Sequence, residues 1–426
     1  MSQNLDLMQA RLDQLERAMV DMAVQRNMRA VADHRKKTRS IVFYTPRRLE
    51  GNLKYAYLRC VELIKELGLS AKCWCVTLHR EEFDILSERN LPVLMWSENE
   101  PKPLSELMAA QIVVTDGFLY DNRPTPPLLH AIMEGAKRVN LWHGTPIKKI
   151  HLQLLDQTAS IAQHDSAIFR SASEVDTLCI ASSHHAGLFN NAFSAKRVVV
   201  TGYPRNDVLL RALNENDLIN VDLGCLEKIK ELKQSGKKIF FYAPTWRDGN
   251  PGWMTAELVR EMHRSVNAAG ACLVVNPHPF EYVHNREMLS SIEGVLVPDS
   301  PDVYPILAQV DVLITDYSSI IFDYMLLERP IILYRPDHED YVRKSRNLIP
   351  EQTSGLPYLI ASNIGELSAC IENNEAHSQN EFVRRVKKLH NENDDARSSE
   401  RVCKMMFKKL GLGPISRYWT ALRREA

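Results

Sequence analysis

The 426-residue chain lacks any apolar run of the ~18–20 residues that a membrane-spanning helix requires. Its first turns carry Asp6, Arg11, Asp13, Glu16 and Arg17, so no signal-peptide core is expected there. Neither sign of charge is in excess, with 53 Lys+Arg against 53 Asp+Glu. That balance excludes a histone-like coat for nucleic acid, though not a local basic patch. The eight cysteines (Cys60, Cys73, Cys75, Cys179, Cys225, Cys272, Cys370, Cys403) form no CxxC pair. They read as buried, reduced thiols, which places the chain in the cytoplasm. Cys73 and Cys75 flank Trp74 and are expected on one face of a strand. There is no GxxxxGK[ST] phosphate loop and no GxSxG elbow, and the histidines match no HExxH spacing. Internal repeats and low-complexity tracts are also missing. What is present is an ordinary globular composition, 45% hydrophobic and 25% charged. At roughly 150 residues per domain, this length suggests two to three domains.

The first 39 residues differ from the rest. Leu5, Met8, Leu12, Leu15, Met19 and Met22 follow the 3-4 spacing of an a/d seam. The seam reads either as a homo-oligomerisation helix or as a helix packed on its own protein or on a membrane. Arg35, Lys36, Lys37 and Arg39 follow as a basic linker, a solvated hinge or a contact for anionic lipid. From residue 40 to 212, short apolar runs alternate with helical patterns. Strands are expected at Ile41–Tyr44, Ala71–Val76, Ile112–Thr115, Val139–Trp142, Thr177–Ala181 and Val198–Thr201, with helices at Tyr55–Leu67 and Leu128–Ala136. Residues 213–236 show no strand and read as an inter-domain connection. The alternation restarts over 237–395, with strands at Ile239–Ala243, Cys272–Asn276, Val295–Val297, Val312–Thr315 and Ile331–Tyr334. Helices there fit Ala256–Ala268, Glu281–Ser290, Ser318–Leu327 and Phe382–Leu389. Residues 396–426 form a C-terminal helix and a basic tail. In the tail, Arg417-Tyr-Trp-Thr-Ala-Leu-Arg-Arg424 reads as a frayed end or a membrane-surface segment. The fold class is α/β: two doubly wound, Rossmann-like domains facing a cleft.

Polar residues gather directly after the expected strands. His143, Gly144, Thr145 and Lys148 follow the run ending Leu141-Trp142. An imidazole there can take a proton from an attacking hydroxyl, and Gly144 lets the backbone approach a ligand. Gly202-Tyr-Pro-Arg205 reads as a capped turn or as a turn that aims Arg205 at the cleft. Thr245 and Arg247 follow the first strand of the second domain and suit phosphate oxygens. Two prolines present His278. Thr315 and Asp316 end a strand, Ser318 and Ser319 open a helix, and Asp323 lies a turn further on. Capping explains Ser318 or Asp316 alone; a helix start that binds phosphate explains the set better. Carboxylates are too few for a magnesium cage. The cleft therefore reads as holding a diphosphate with no metal and no cofactor.

Five segments in this order resemble the CDP-glycerol:poly(glycerophosphate) glycerophosphotransferase family: WHGTPIKK at 142–149, GYPRND at 202–207, APTWRD at 243–248, NPHPF at 276–280 and TDYSSIIFDYMLLERPIILY at 315–334. The likeness spans roughly residues 40–400. It implies a glycosyltransferase-B fold and a CDP-glycerol or CDP-ribitol donor in the second domain. It also implies a polymer or lipid-linked acceptor, and no nucleic acid partner. Carried onto this chain, His143 and His278 are the candidate catalytic residues, as base and donor-phosphate ligand. Thr315, Asp316, Ser318 and Ser319 join the donor site, with Gly144, Thr145, Lys148, Arg205, Thr245, Arg247 and Asp323 around them. The expected reaction moves a polyol phosphate onto an acceptor hydroxyl and releases CMP. The alternatives are a nucleotide-sugar glycosyltransferase of the same fold or a ribitol-specific transferase. The seam and basic linker stand where many family members carry longer modules, and the expected location is the cytoplasm or the inner face of the membrane.

Overall fold

The computed structural model describes residues 19, 23–44, 46–96, 101–117, 131–154, 175–247, 253–344, 348–349, 352, 356, 358–374 and 381–412. Most of the Leu5–Met22 seam, the 417–424 tail and part of the expected Leu128–Ala136 helix lie outside the described residues.

Among the described residues, thirteen strands form two sheets, and every strand pairing is parallel. The first holds β1 (Thr38–Tyr44), β2 (Lys72–Thr77), β3 (Val93–Met95), β4 (Ala110–Thr115), β5 (Lys137–Asn140), β6 (Thr177–Ile180) and β7 (Val198–Val200), in the order β3-β2-β1-β4-β5-β6-β7. The second holds β8 (Ile239–Ala243), β9 (Cys272–Val275), β10 (Val295–Leu296), β11 (Val312–Thr315), β12 (Ile331–Tyr334) and β13 (Leu359–Ala361), in the order β10-β9-β8-β11-β12-β13. In each sheet the order reverses beside the first strand, between β1 and β4 and between β8 and β11. Ligands of doubly wound sheets bind outside the carboxyl ends at that switch point.

Both sheets are covered on both faces, as parallel sheets are. Along β1, Ile41 and Phe43 join one core while Val42 and Tyr44 join the opposite one. Along β8, Ile239 and Phe241 face one core, and Phe240 and Tyr242 the other. Each such buried side chain contributes roughly 1.5–3 kcal/mol. Cys73 and Cys75 share a core face of β2, while Trp74 packs on the other side. All eight cysteines are unpaired.

Several elements differ from the sequence reading for local reasons. Val139–Trp142 ends as a strand at Asn140, because the Asn140 side chain takes the Trp142 N–H at 2.7 Å and turns the chain out of the ladder. The edge strands β3 and β13 went unread, since three residues carry too little pattern. Residues 213–236 contain the helix Leu223–Gln234, capped by Asp222 and burying Leu226 and Ile229 against the second sheet. The basic segment is not a free hinge. Arg39 lies within β1, and Lys37 donates to the Met108 and Glu134 carbonyls. Residues 23–34 form a helix whose Ala32 and Met28 pack on the first sheet.

Two elements tie the halves together. The helix Gly51–Glu66 leads from the cleft into the first core, and the helix Ser398–Lys409 returns from the second half to pack against it through Val402, Cys403, Met406 and Phe407. Among the described residues, no helix is long and apolar enough to cross a membrane.

Candidate active site

The first-sheet wall of the cleft is built on β4 and β5. Leu141 extends the ladder by one bond to Thr115 O, at 2.7 Å. Trp142 then adopts φ +52°, a left-handed conformation that costs a bulky residue about 1–3 kcal/mol. Its ring is buried beside His151 and Phe193 and backs the His143 imidazole at 3.9 Å between centroids. The His143 Nδ1–H donates to the Asp116 carbonyl at 3.1 Å, because a carbonyl can only accept. Nε2 is thereby left with its lone pair. Crowding by the cleft walls lowers the His143 pKa to about 3, and the guanidiniums of Arg47 and Arg205 push in the same direction. The imidazole faces cleft solvent and is neutral at pH 7. Glu50 and Asp116 stand in the same crowded wall, and burial raises both carboxyls, Glu50 to about 8.

Gly144 brings this loop against the second half of the molecule. At φ +131° its backbone lies so close to its neighbours that a Cβ would stand 2.8 Å from both Arg205 Nη2 and Ser319 Oγ. Gly144, next to His143, and Ser319, far apart in sequence, therefore meet across the cleft. Ser319 precedes the helix Ile320–Tyr324 and makes no capping bond with its side chain. That helix is shorter than expected and passes at once into a 3-10 turn, Met325–Leu327.

The second-sheet wall centres on Asp316, at the end of β11. It accepts from Thr245 N at 2.9 Å, Thr245 Oγ1 at 2.6 Å and Tyr317 N at 2.5 Å, and pairs with Arg247 Nη1 at 2.8 Å. Arg247 also donates to both oxygens of Asp337, at 2.6 and 3.1 Å. Its guanidinium stacks among Trp253, Tyr341 and Tyr317 at 4.2, 4.7 and 5.3 Å. Half-buried Thr245 and buried Arg247 and Asp316 thus form one network at the β8/β11 switch point, and Arg247 has protein partners on each side. Arg335, which the sequence reading missed, donates to Asp316 O at 3.0 Å. His278 is half-buried at the end of β9, one strand outward.

Four expected site residues are placed inside the protein. Thr315 is fully buried and its hydroxyl donates to Ala243 O at 2.6 Å. Thr145 is fully buried, as is Tyr203. Arg205 and Asp323 form a buried ion pair of 2.5 Å between the two halves, with the Tyr304 hydroxyl donating to the same carboxylate oxygen at 2.7 Å. Lys148 is half-buried, 5.0 Å from the Tyr341 ring, and bridges Leu348 through its backbone. Sequence spacing showed these residues at strand ends; which way each side chain turned depended on partners far along the chain. Among the described residues, no group of three His, Cys, Asp or Glu is arranged to hold a metal.

Residues 27–408 match the family model described as CDP-Glycerol:Poly(glycerophosphate) glycerophosphotransferase. The chain is 27% identical to a teichoic acid glycerol-phosphate transferase of Staphylococcus aureus, over 63% of this chain and 70% of that one. It is 26% identical to the teichoic acid ribitol-phosphate polymerase TarK of the same organism, over 88% of this chain and 70% of that one. Its fold is similar to that of the wall teichoic acid polymerase TagF, with a TM-score of 0.70 at 20% identity, covering 93% of this chain and 97% of the solved one.

Proposed function

The chain belongs to the CDP-glycerol:poly(glycerophosphate) glycerophosphotransferase family, and we propose from that premise that it transfers a polyol phosphate from a CDP-linked donor to an acceptor hydroxyl, releasing CMP. The observation that carries this reading is the His143 geometry: a neutral ring with Nδ1–H on Asp116 O and Nε2 bare, in a loop that touches Ser319 of the opposite wall.

In the reaction, the acceptor oxygen attacks the phosphorus that bears the polyol. The bond from that phosphorus to CMP breaks, and the hydroxyl proton passes to His143 Nε2. General-base help of this kind is worth on the order of 10²–10⁴-fold. The Asp316 network presents the β8 and β11 ends as a rigid floor for the donor. His278, Ser318 and Ser319 lie around it and supply the polar contacts to the diphosphate. Arg205 and Asp323 act one step back, by holding the two walls in register.

The glycerol-phosphate and ribitol-phosphate relatives both support a CDP-polyol donor, and the polyol is decided by assay. Purified protein is incubated with CDP-glycerol, CDP-ribitol and UDP-sugars in the presence of membrane extract. CMP release from one CDP-polyol, lost in His143→Gln, supports the reading; UDP release alone would replace it with the glycosyltransferase reading. A polymer or lipid-linked acceptor, a location on the inner face of the membrane and self-association through the Leu5–Met22 seam belong to the same proposal. Sedimentation of Leu12→Asp/Leu15→Asp tests the last, since an unchanged mass would dismiss the seam.

A further inference from the structure

The histidine loop is clamped by two asparagine side chains that the family motifs do not account for. Asn140 and Asn52 are both buried, and each makes bonds from both ends of its amide. Asn140 Oδ1 accepts the Trp142 N–H at 2.7 Å, and its Nδ2 donates to Gly117 O at 3.2 Å. Asn52, from the start of the helix Gly51–Glu66, donates through Nδ2 to Trp142 O at 2.7 Å and accepts the Arg205 N–H at 3.1 Å.

These four bonds have one geometric consequence. The N–H and the C=O of Trp142 are each held by a different side chain, so its left-handed backbone cannot relax. His143 follows directly. The partner of His143 Nδ1 is Asp116 O, and the next peptide carbonyl, Gly117 O, is held by the same Asn140 that holds Trp142. Asn140 therefore fixes the donor side and the acceptor side of the histidine bond relative to each other. Asn52 ties that unit to Arg205 and so to the opposite wall.

We propose that Asn140 and Asn52 are positioning residues that set the tautomer and aim of His143, keeping the proton on Nδ1 and the lone pair on Nε2. The role is the one a carboxylate plays behind a catalytic imidazole, performed by a backbone carbonyl that carries no charge. An uncharged carbonyl orients the ring while raising its pKa less than a carboxylate would, and burial outweighs that pull, so the ring stays neutral. A solvent-exposed histidine side chain prefers its proton on Nε2, so an Nδ1–H tautomer at His143 is a specific expectation of this clamp. The inference rests on the transferase reading for its kinetic consequence but not for its structural one.

The test labels the histidine rings with 15N and assigns His143 by difference against His143→Gln. At pH 7 the parent is expected to show a protonated Nδ1 and a bare Nε2. Asn140→Asp and Asn52→Asp keep the side-chain shape but replace the N–H donors towards Gly117 O and Trp142 O with a carboxylate oxygen and add a charge, whose separate effect the uncharged Asn140→Ser and Asn52→Ser control. Both are expected to move His143 towards the Nε2–H form and to lower kcat for CMP release by about tenfold or more, with KM for the CDP-polyol within about twofold. Should the Asp variants not fold, Asn140→Ser and Asn52→Ser carry the same readouts. An Nε2–H tautomer in the parent overturns the inference. So do folded variants with the parent's tautomer and kcat. The ring spectrum needs no turnover, so a parent that releases no CMP counts against the function while the tautomer result still decides the clamp.

Discussion

At the scale of single residues, Trp142 and His143 show how backbone strain is used. An aromatic residue at φ +52° is held where glycine would sit more easily, and the next residue is the candidate base. No sequence pattern announces that conformation; WHG reads only as a turn after a strand. The charge environment was equally hidden, because Arg47 and Arg205 reach His143 from distant segments. It has a testable sign. The base works when unprotonated, and its pKa is pushed down from the ordinary 6.5. The acid limb of the rate profile should therefore lie below pH 6.5, with most of the pH 7.5 rate for CMP release kept at about pH 5.5. Arg47→Met removes one cation and should move the limb back towards neutrality. A parent that loses half its rate at pH 6.5 would contradict this account of the ring.

At the scale of elements, what matters is the short stretch after each strand. The sequence placed His143 after β5, Thr245 after β8 and Asp316 after β11, since alternating apolar runs mark strand ends well. It did not show that the loops after β8 and β11 hydrogen-bond each other. That contact follows from β8 pairing with β11, a crossover no local pattern contains. The loop after β5 depends on Gly144 in the same way. Gly144→Ala adds a methyl into Arg205 and Ser319 and forces a strained φ, so it should cut CMP release by about tenfold or more while the protein stays folded; parent-like turnover would show that the cross-cleft approach is not needed.

A second element-scale device lies between the 183–185 turn and the helix Glu381–His390. There His185 Nε2 meets His390 Nδ1 at 3.2 Å, Gln352 donates to His185 Nδ1 at 3.1 Å and Phe322 flanks the rings. Burial lowers both pKa values, His185 to about 3 and His390 to about 4. The unfolded chain therefore binds more protons than the fold below pH 6.5. The stabilisation is complete above that pH and is lost as pH falls from 6.5 towards 4, by at most about 1.4 kcal/mol per pH unit for each ring. Melting temperature measured against pH should fall more steeply in the parent than in His185→Gln/His390→Gln. Equal slopes would remove the pair from the account.

At the scale of the whole molecule, buried polar pins cross between the two sheets. Lys54 Nζ donates to Asp217 O, Ile219 O and Asp302 Oδ2 at 2.6–2.7 Å, and the Tyr55 hydroxyl joins Asp302 at 2.7 Å. Lys54 and Asp302 are both fully enclosed, and burial lowers the lysine's pKa. Arg205–Asp323 is a second pin. Such pairs add little net stability over apolar packing, but breaking one partner leaves a buried charge. Lys54→Met should lower unfolding stability by about 3–5 kcal/mol, seen as a lower urea midpoint. Lys54→Met/Asp302→Leu should recover part of that loss. A single variant within about 1 kcal/mol of the parent would mean the pin is not what joins the halves.

The sequence by itself determined the architecture and the neighbourhood of the site. Short apolar runs with helical stretches between them specify parallel sheets covered on both faces, and glycines, prolines and polar residues at strand ends mark where a ligand can bind, because both signals are local and repeat along the chain. Tertiary structure decided which of those polar residues face the cleft. Thr315 turned onto Ala243, Asp323 onto Arg205 and Tyr304, and Arg247 onto Asp316 and Asp337. It also decided that Asn52 and Asn140, which the motif reading passed over, hold both backbone groups of Trp142, the residue before the histidine. A buried polar group takes whichever partner the fold brings within about 3 Å, and that partner was usually dozens to hundreds of residues away.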